Sequence, residues 1–169
     1  MYIETARMCI RDFTMVDVAD LHEILGDEIC MAYSEPAYDF EKTKSFLASF
    51  CVQRGGAVAA ALREGGKVIG YLLFSELSPG VYEIGWFFNR LFWRQGYAYE
   101  ACRALIDDAF SRGRAHKICA ETIDVQRSVP LMQKLGMRPE GVQREQMRDQ
   151  NGQWADLYLY GLLAEDRGV

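Results

Sequence analysis

Apolar residues recur every three or four positions at Ala98, Ala101, Cys102, Leu105, Ile106, Ala109 and Phe110, the signature of one buried helical face, and Gly113 supplies a left-handed stop. This is the clearest periodic run in the chain. Weaker helical patterns place Val18, Leu21 and Leu25 on one face of a helix introduced by Thr14 and Asp17, which stand in capping-box spacing. A second such helix is predicted over 39–54, with Phe46, Leu47 and Phe50 inward, and a short one over 128–135 is stopped by Gly136. Residues 31–36 show no period and read as an irregular, aromatic-bearing segment.

Strand signals fill the remainder. Residues 6–12 alternate apolar and polar side chains. Residues 57–63 and 67–75 flank Glu64-Gly65-Gly66, and Ser78-Pro79-Gly80 leads into 81–88; both read as hairpins. A strand is predicted over 117–123, and two more, 141–147 and 154–162, flank Asp149-Gln150-Asn151-Gly152, whose Asn-Gly pair favours a hairpin turn. The predicted order is strand, two helices, three strands, helix, strand, helix, two strands. Hairpins dominate the connections, so the expected fold is α+β (mixed α/β), with about seven largely antiparallel strands and four helices in a single domain spanning 1–169.

Composition narrows the function classes. The 169 residues are 50% hydrophobic and 25% charged, as in a soluble globular protein that buries a real core. No apolar run approaches the roughly 20 residues of a membrane helix, and Glu4 and Arg7 interrupt the N-terminus where a signal peptide would be apolar. A net charge of −5 argues against a nucleic-acid surface. The five cysteines are scattered and never form a Cys-x-x-Cys pair, and the two histidines are far apart. That pattern predicts no disulfide framework and no metal site, with reduced, small, mostly buried thiols in a cytoplasmic protein.

The chemistry centres on Trp93-Arg94-Gln95-Gly96-Tyr97-Ala98, between a predicted strand and the strongest helix. The first N–H groups of a helix have no intrahelical acceptor, and the helix dipole adds partial positive charge, so such a loop binds phosphate groups. With Tyr82-Glu83-Ile84-Gly85-Trp86 before it, Tyr99-Glu100-Ala101 after it, Ser128 leading to Gln133-Lys134-Leu135-Gly136-Met137-Arg138-Pro139-Glu140-Gly141-Val142, and the tail 154–160, the chain resembles the GNAT superfamily of N-acetyltransferases, in its RimJ/RimL-like branch. The resemblance covers essentially the whole chain.

That resemblance implies a GNAT sheet splayed between its fourth and fifth strands and acetyl-CoA as co-substrate without a metal. It also implies transfer of the acetyl group to a primary amine, a protein N-terminus or a small amine, in a ternary complex. It places the CoA pyrophosphate on the amides of Arg94, Gln95, Gly96, Tyr97, Ala98 and Tyr99, and the pantetheine beside Trp86, Phe87 and Phe88. Arg94 stands where the family usually has glycine, Val125 where the branch often has Asn, and Met132 where many members carry an acidic Tyr. Ser128 matches the branch's serine and is a candidate partner of the CoA sulfur, although a serine there also suits a helix N-cap.

Proton removal from the amine needs a base, and Glu83, on the strand beside the expected thioester, is the candidate; an ordinary outward strand carboxylate is the competing reading. Backbone N–H groups around Phe87 and Phe88 are candidate oxyanion donors. Tyr33 and Tyr158 are candidate walls of the acceptor site, or plain loop and sheet packing. Two other functions stay open at this point: a non-catalytic acyl-CoA-binding or sensing module, and an interaction protein that reuses the fold. A homodimer through an exposed edge of the C-terminal strands is a further expectation.

Overall fold

The computed structural model describes residues 1–167, built around a single eight-stranded sheet in the order β1-β2-β3-β4-β5-β6-β8-β7. The strands are β1 (Tyr2–Glu4), β2 (Met8–Asp12), β3 (Ala57–Leu62), β4 (Val68–Ser78), β5 (Val81–Phe88), β6 (Lys117–Thr122), β7 (Arg138–Arg148) and β8 (Trp154–Leu163). Every neighbouring pair is antiparallel except β5–β6, which is parallel. The expected strands are all present. β1 is an addition: three residues are too few to show a period, and the strand exists because it pairs with β2.

Helices α1 (Val18–Leu25) and α3 (Phe40–Phe46) cover one face of the sheet, packing Leu21, Ile24 and Leu47 against Ala59, Val68 and Tyr71. Helices α4 (Tyr97–Ser111) and α5 (Ser128–Lys134) cover the other face, where Ala101, Cys102, Leu105, Ile106 and Ala109 meet Ile69, Leu72, Ile84 and Ile118. The positions read from the helical period are thus buried, or, at Val18, Phe46, Phe50, Ala98 and Phe110, partly buried against the core. A further short helix, α2 (Glu28–Met31), comes just before the stretch expected to be irregular and shares only Met31 with it; Asp27 caps it, its Oδ1 accepting from the N–H groups of Ile29 and Cys30. The helix expected over 39–54 begins at Asp39 as its cap but widens to a π-helical turn at Leu47–Gln53. The Phe46 and Phe50 rings stack at 5.1 Å across that join.

β7 is an edge strand whose residues are exposed throughout. Pro139 lacks an N–H, the pairing register shifts between Gln143 and Met147, and Glu145 takes a positive φ of 50°. These features, with Arg144 and Arg148, blunt the edge against pairing with another strand.

Candidate functional site

β5 and β6 pair only from Val81↔Lys117 to Glu83↔Cys119. Beyond that point β5 runs on to Phe88 and β6 to Thr122 without bonding one another, so the sheet forks. The gap is a groove of about 640 Å³, lined along β5 by Glu83, Trp86, Phe87 and Phe88, and closed at its far end by Trp93 and Tyr97.

Alternation along the β4–β5 ladder decides which groups face the gap. In an antiparallel pair, only every second residue exchanges bonds with its neighbour. The Asn89 N–H donates to the Ile69 carbonyl (2.8 Å), which places Phe87 among the residues bonded to β4 and turns Trp86 and Phe88 outward to the groove. The oxyanion candidates therefore reduce to the outward amides, and the Phe87 N–H belongs to the sheet. The Phe88 carbonyl accepts from Trp93 Nε1 (2.6 Å) and from Cys30 Sγ (3.4 Å), which tie the loop and α2 to the end of β5.

The loop behind Trp93 has a geometry that can hold an anion. Arg94 (φ 59°) and Gly96 (φ 83°) are both left-handed, which turns successive N–H groups toward one side at the start of α4. Among the described residues, no protein group accepts from the N–H of Arg94, Gln95, Gly96, Tyr97, Ala98 or Tyr99. Arg7 holds the back of the loop. Its Nη1 donates to the Gln95 carbonyl (2.9 Å), its Nε pairs with Glu100 Oε2 (2.7 Å), and its guanidinium lies 4.0 Å from the Tyr97 ring centre. The Gln95 side chain turns away, donating to the Leu91 carbonyl, so only its backbone serves the loop. Arg94, Gly96, Tyr97, Ala98 and Tyr99 line the groove, and so does Lys134, whose ammonium lies over the Tyr99 ring.

At the fork, Glu83 is half-buried and lines the groove opposite Glu121 of β6. Burial first, and the Glu121 charge second, push the Glu83 carboxyl above the usual carboxylate range. Neither carboxylate has an ion-pair partner among the described residues. Tyr33, in the turn after α2, lines the groove. So does Arg127, whose guanidinium packs 4.8 Å from the Tyr33 ring and 5.0 Å from the Trp93 ring while pairing with the buried Asp124. Arg127 and Asp124 are site residues that sequence reasoning missed.

Ser128 opens α5 and lines the groove, but it is not the cap: Arg127 occupies that position, and Asp124 Oδ1 accepts from the Arg127 N–H (3.1 Å). The Ser128 hydroxyl has no protein partner among the described residues, which leaves it available to a ligand. Met132 is in the core at 1% exposure, so α5 presents no acid to the groove from that position. Tyr158 packs, partly buried, on the main core cluster, while its neighbour Leu157 lines the groove.

The GNAT acetyltransferase domain matches residues 7–138. The chain is 32% identical over 172 residues to YnaD of Bacillus subtilis, named an uncharacterized N-acetyltransferase, covering 98% of this chain and 99% of that protein. A solved GNAT-family acetyltransferase from Bacillus anthracis superposes with a TM-score of 0.89 at 30% identity, covering 98% and 99% of the two chains. The ribosomal alpha-N-protein acetyltransferase RimL, solved in complex with coenzyme A, shares the fold at a TM-score of 0.83 and 20% identity, covering 96% of this chain and 98% of its own. With the fork, the amide loop and these matches together, the chain belongs to the GNAT acetyltransferase family.

Proposed function

We propose that this acetyltransferase uses acetyl-CoA and transfers its acetyl group to a primary amine by direct attack, with both substrates in the groove. The observation that carries the reading is the outward edge of β5 running straight into a loop of unaccepted N–H groups. A pantetheine arm carries amides that bond an open strand edge in the manner of strand addition, and a pyrophosphate satisfies the loop donors. Acetyl-CoA supplies the activated thioester.

The chain's own residues supply the rest. Glu83, raised by burial and unpaired, is poised to take a proton from an ammonium acceptor, leaving the neutral amine to attack the thioester carbonyl. The outward Phe88 N–H is the donor that would stabilise the oxyanion. As the new C–N bond forms and the C–S bond breaks, the thiolate leaves toward the Ser128 hydroxyl and takes up the second proton shed by the amine nitrogen, giving the amide and free CoA thiol. An α-amino group, with a pKa near 8, needs less help from the base than a side-chain amine near 10.4, so both acceptor types fall within reach of this site.

Thiol release from acetyl-CoA across an amine library tests the reading; steady release with at least one amine is expected. Met132 favours a second reading, binding of acyl-CoA without turnover, since its core position leaves Ser128 as the hydroxyl lining the groove from α5. Micromolar CoA binding with no thiol release from any amine would establish that alternative. No binding of acetyl-CoA at millimolar concentration would end both.

A further inference from the structure

Past Glu83↔Cys119 no ladder bonds join β5 to β6, so side chains must bridge the open end of the fork. Tyr33 and Trp93 both belong to the β5 branch. Trp93 Nε1 donates to the Phe88 carbonyl, and α2, just before Tyr33, sends Cys30 Sγ to the same oxygen. Arg127 belongs to the other branch, in the turn between β6 and α5. Its root is fixed, because the buried Asp124 accepts from its N–H and from its Nε. Its head reaches across, with Cζ 4.8 Å from the centre of the Tyr33 ring and 5.0 Å from that of Trp93. Neither Nη has a protein hydrogen-bond partner among the described residues, so the head packs on the two rings alone. A cation over an aromatic face is attracted by the ring quadrupole, and two such contacts at partly exposed positions are worth about a tenfold change in an equilibrium.

Resting on the acetyl-CoA reading above, we propose that Arg127 is a positioning residue: a strap across the groove that closes over the pantetheine arm and releases Tyr33 and Trp93 each time CoA enters or leaves. The arm lies along β5, and the guanidinium spans from the β6 turn to the rings beside the end of that strand. Opening breaks the two ring contacts and leaves the Asp124 pair intact. The same contacts are made before and after CoA binds, so the strap sets the rates of entry and exit together and leaves the affinity alone. That separates it from a direct ligand of the carrier, whose loss raises the dissociation constant.

Two substitutions divide the side chain. In Arg127→Gln the amide nitrogen falls at the position of Nε, which keeps the Asp124 bond and removes the head. In Arg127→Lys the ammonium falls at the position of Cζ, which keeps a cation on the rings. Stopped-flow mixing of the full chain with CoA reads both rate constants through tryptophan fluorescence, since Trp86 and Trp93 line the groove. Arg127→Gln should raise the association and dissociation rate constants about tenfold each, with Kd by calorimetry within about threefold of the parent's. Arg127→Lys should keep both rates within about threefold of the parent's. Tyr33→Leu removes one ring from the opposite branch and should raise both rates about threefold, whereas Tyr33→Phe, which keeps a ring, should behave as the parent. Tyr33→Leu also carries the test if Arg127→Gln fails to fold. Parent-like rates in Arg127→Gln and Tyr33→Leu would overturn the strap, as would a Kd raised about tenfold at an unchanged association rate. The expected rates without thiol release from any amine would overturn acetyl transfer and uphold the strap; no CoA binding by the parent at millimolar concentration would overturn both.

Discussion

Replacing Arg94 separates what the loop's backbone does from what its side chain does. Arg94 sits at φ 59°, a left-handed conformation that costs a residue with a Cβ roughly 1–2 kcal/mol. Arg94→Gly removes that strain, while greater freedom of the unfolded chain takes back about 0.5–1 kcal/mol. The net effect is a fold between unchanged and about 1.5 kcal/mol more stable. At about 2–4 °C per kcal/mol for a chain of this size, Tm rises by up to roughly 6 °C. Arg94→Ala keeps the strain and should leave Tm within about 1–2 °C of the parent. Both variants lose the same exposed guanidinium, a phosphate contact of about 1 kcal/mol, so CoA should bind roughly fivefold more weakly to each. Thermal unfolding and calorimetry with CoA read the two effects separately. A loss of CoA affinity near a thousandfold in both variants would mean that the side chain, not the backbone, holds the phosphates. A glycine variant less stable than the alanine variant would refute the strain argument.

Other outcomes follow from the same geometry. Arg7→Ala removes the bond to the Gln95 carbonyl, the Glu100 pair and the Tyr97 contact. With Arg7 itself partly exposed, the loss of stability should be about 1–2 kcal/mol, accompanied by weaker CoA binding measured by calorimetry. Glu83→Gln should lower kcat at pH 7 by a hundredfold or more. Its stability at pH 7 should match or exceed the parent's in chemical denaturation. A carboxyl raised in the fold destabilises it while ionised, above its folded pKa, and that cost fades as pH falls below the unfolded value; the stability difference should therefore shrink on acidification. Activity of the parent should fall as pH drops through the raised Glu83 pKa. In Gly70→Ala, the new Cβ would lie 2.4 Å from Phe88 Cε1, inside a packed core. Overpacking of about 1–3 kcal/mol should lower Tm and raise KM for acetyl-CoA, because Phe88 ends the outward edge of β5.

Much of the architecture is legible in the sequence where a period runs long enough to be seen. The face of α4 follows from seven apolar positions over three turns. The hairpins follow from Gly65-Gly66 and from Gly152, all three of which take positive φ. β1 and α2 are invisible because three and four residues cannot display a period; pairing with β2 and the Asp27 cap create them. The π-helical turn at Leu47–Gln53 obeys the same apolar pattern as an α-helix over so short a span, so spacing does not distinguish them. For the site, the loop and Glu83 were readable because they lie within one contiguous stretch. Arg7 was not, since its loop partner Gln95 is 88 positions away and only the fold unites them. Arg127, Asp124 and Glu121 look like ordinary polar residues until the fork turns them to a shared groove. Which face Tyr158 presents is not legible, because Leu157, Tyr160, Gly161 and Leu162 are all buried and β8 lacks an inside–outside alternation.

The most direct measurement is a crystal structure of the protein with acetyl-CoA. It should show pyrophosphate oxygens within hydrogen-bond distance of the amides between Arg94 and Tyr99, the pantetheine along β5, and the thioester beside Glu83 at the fork. A carrier bound elsewhere, with those amides facing only solvent, would contradict it.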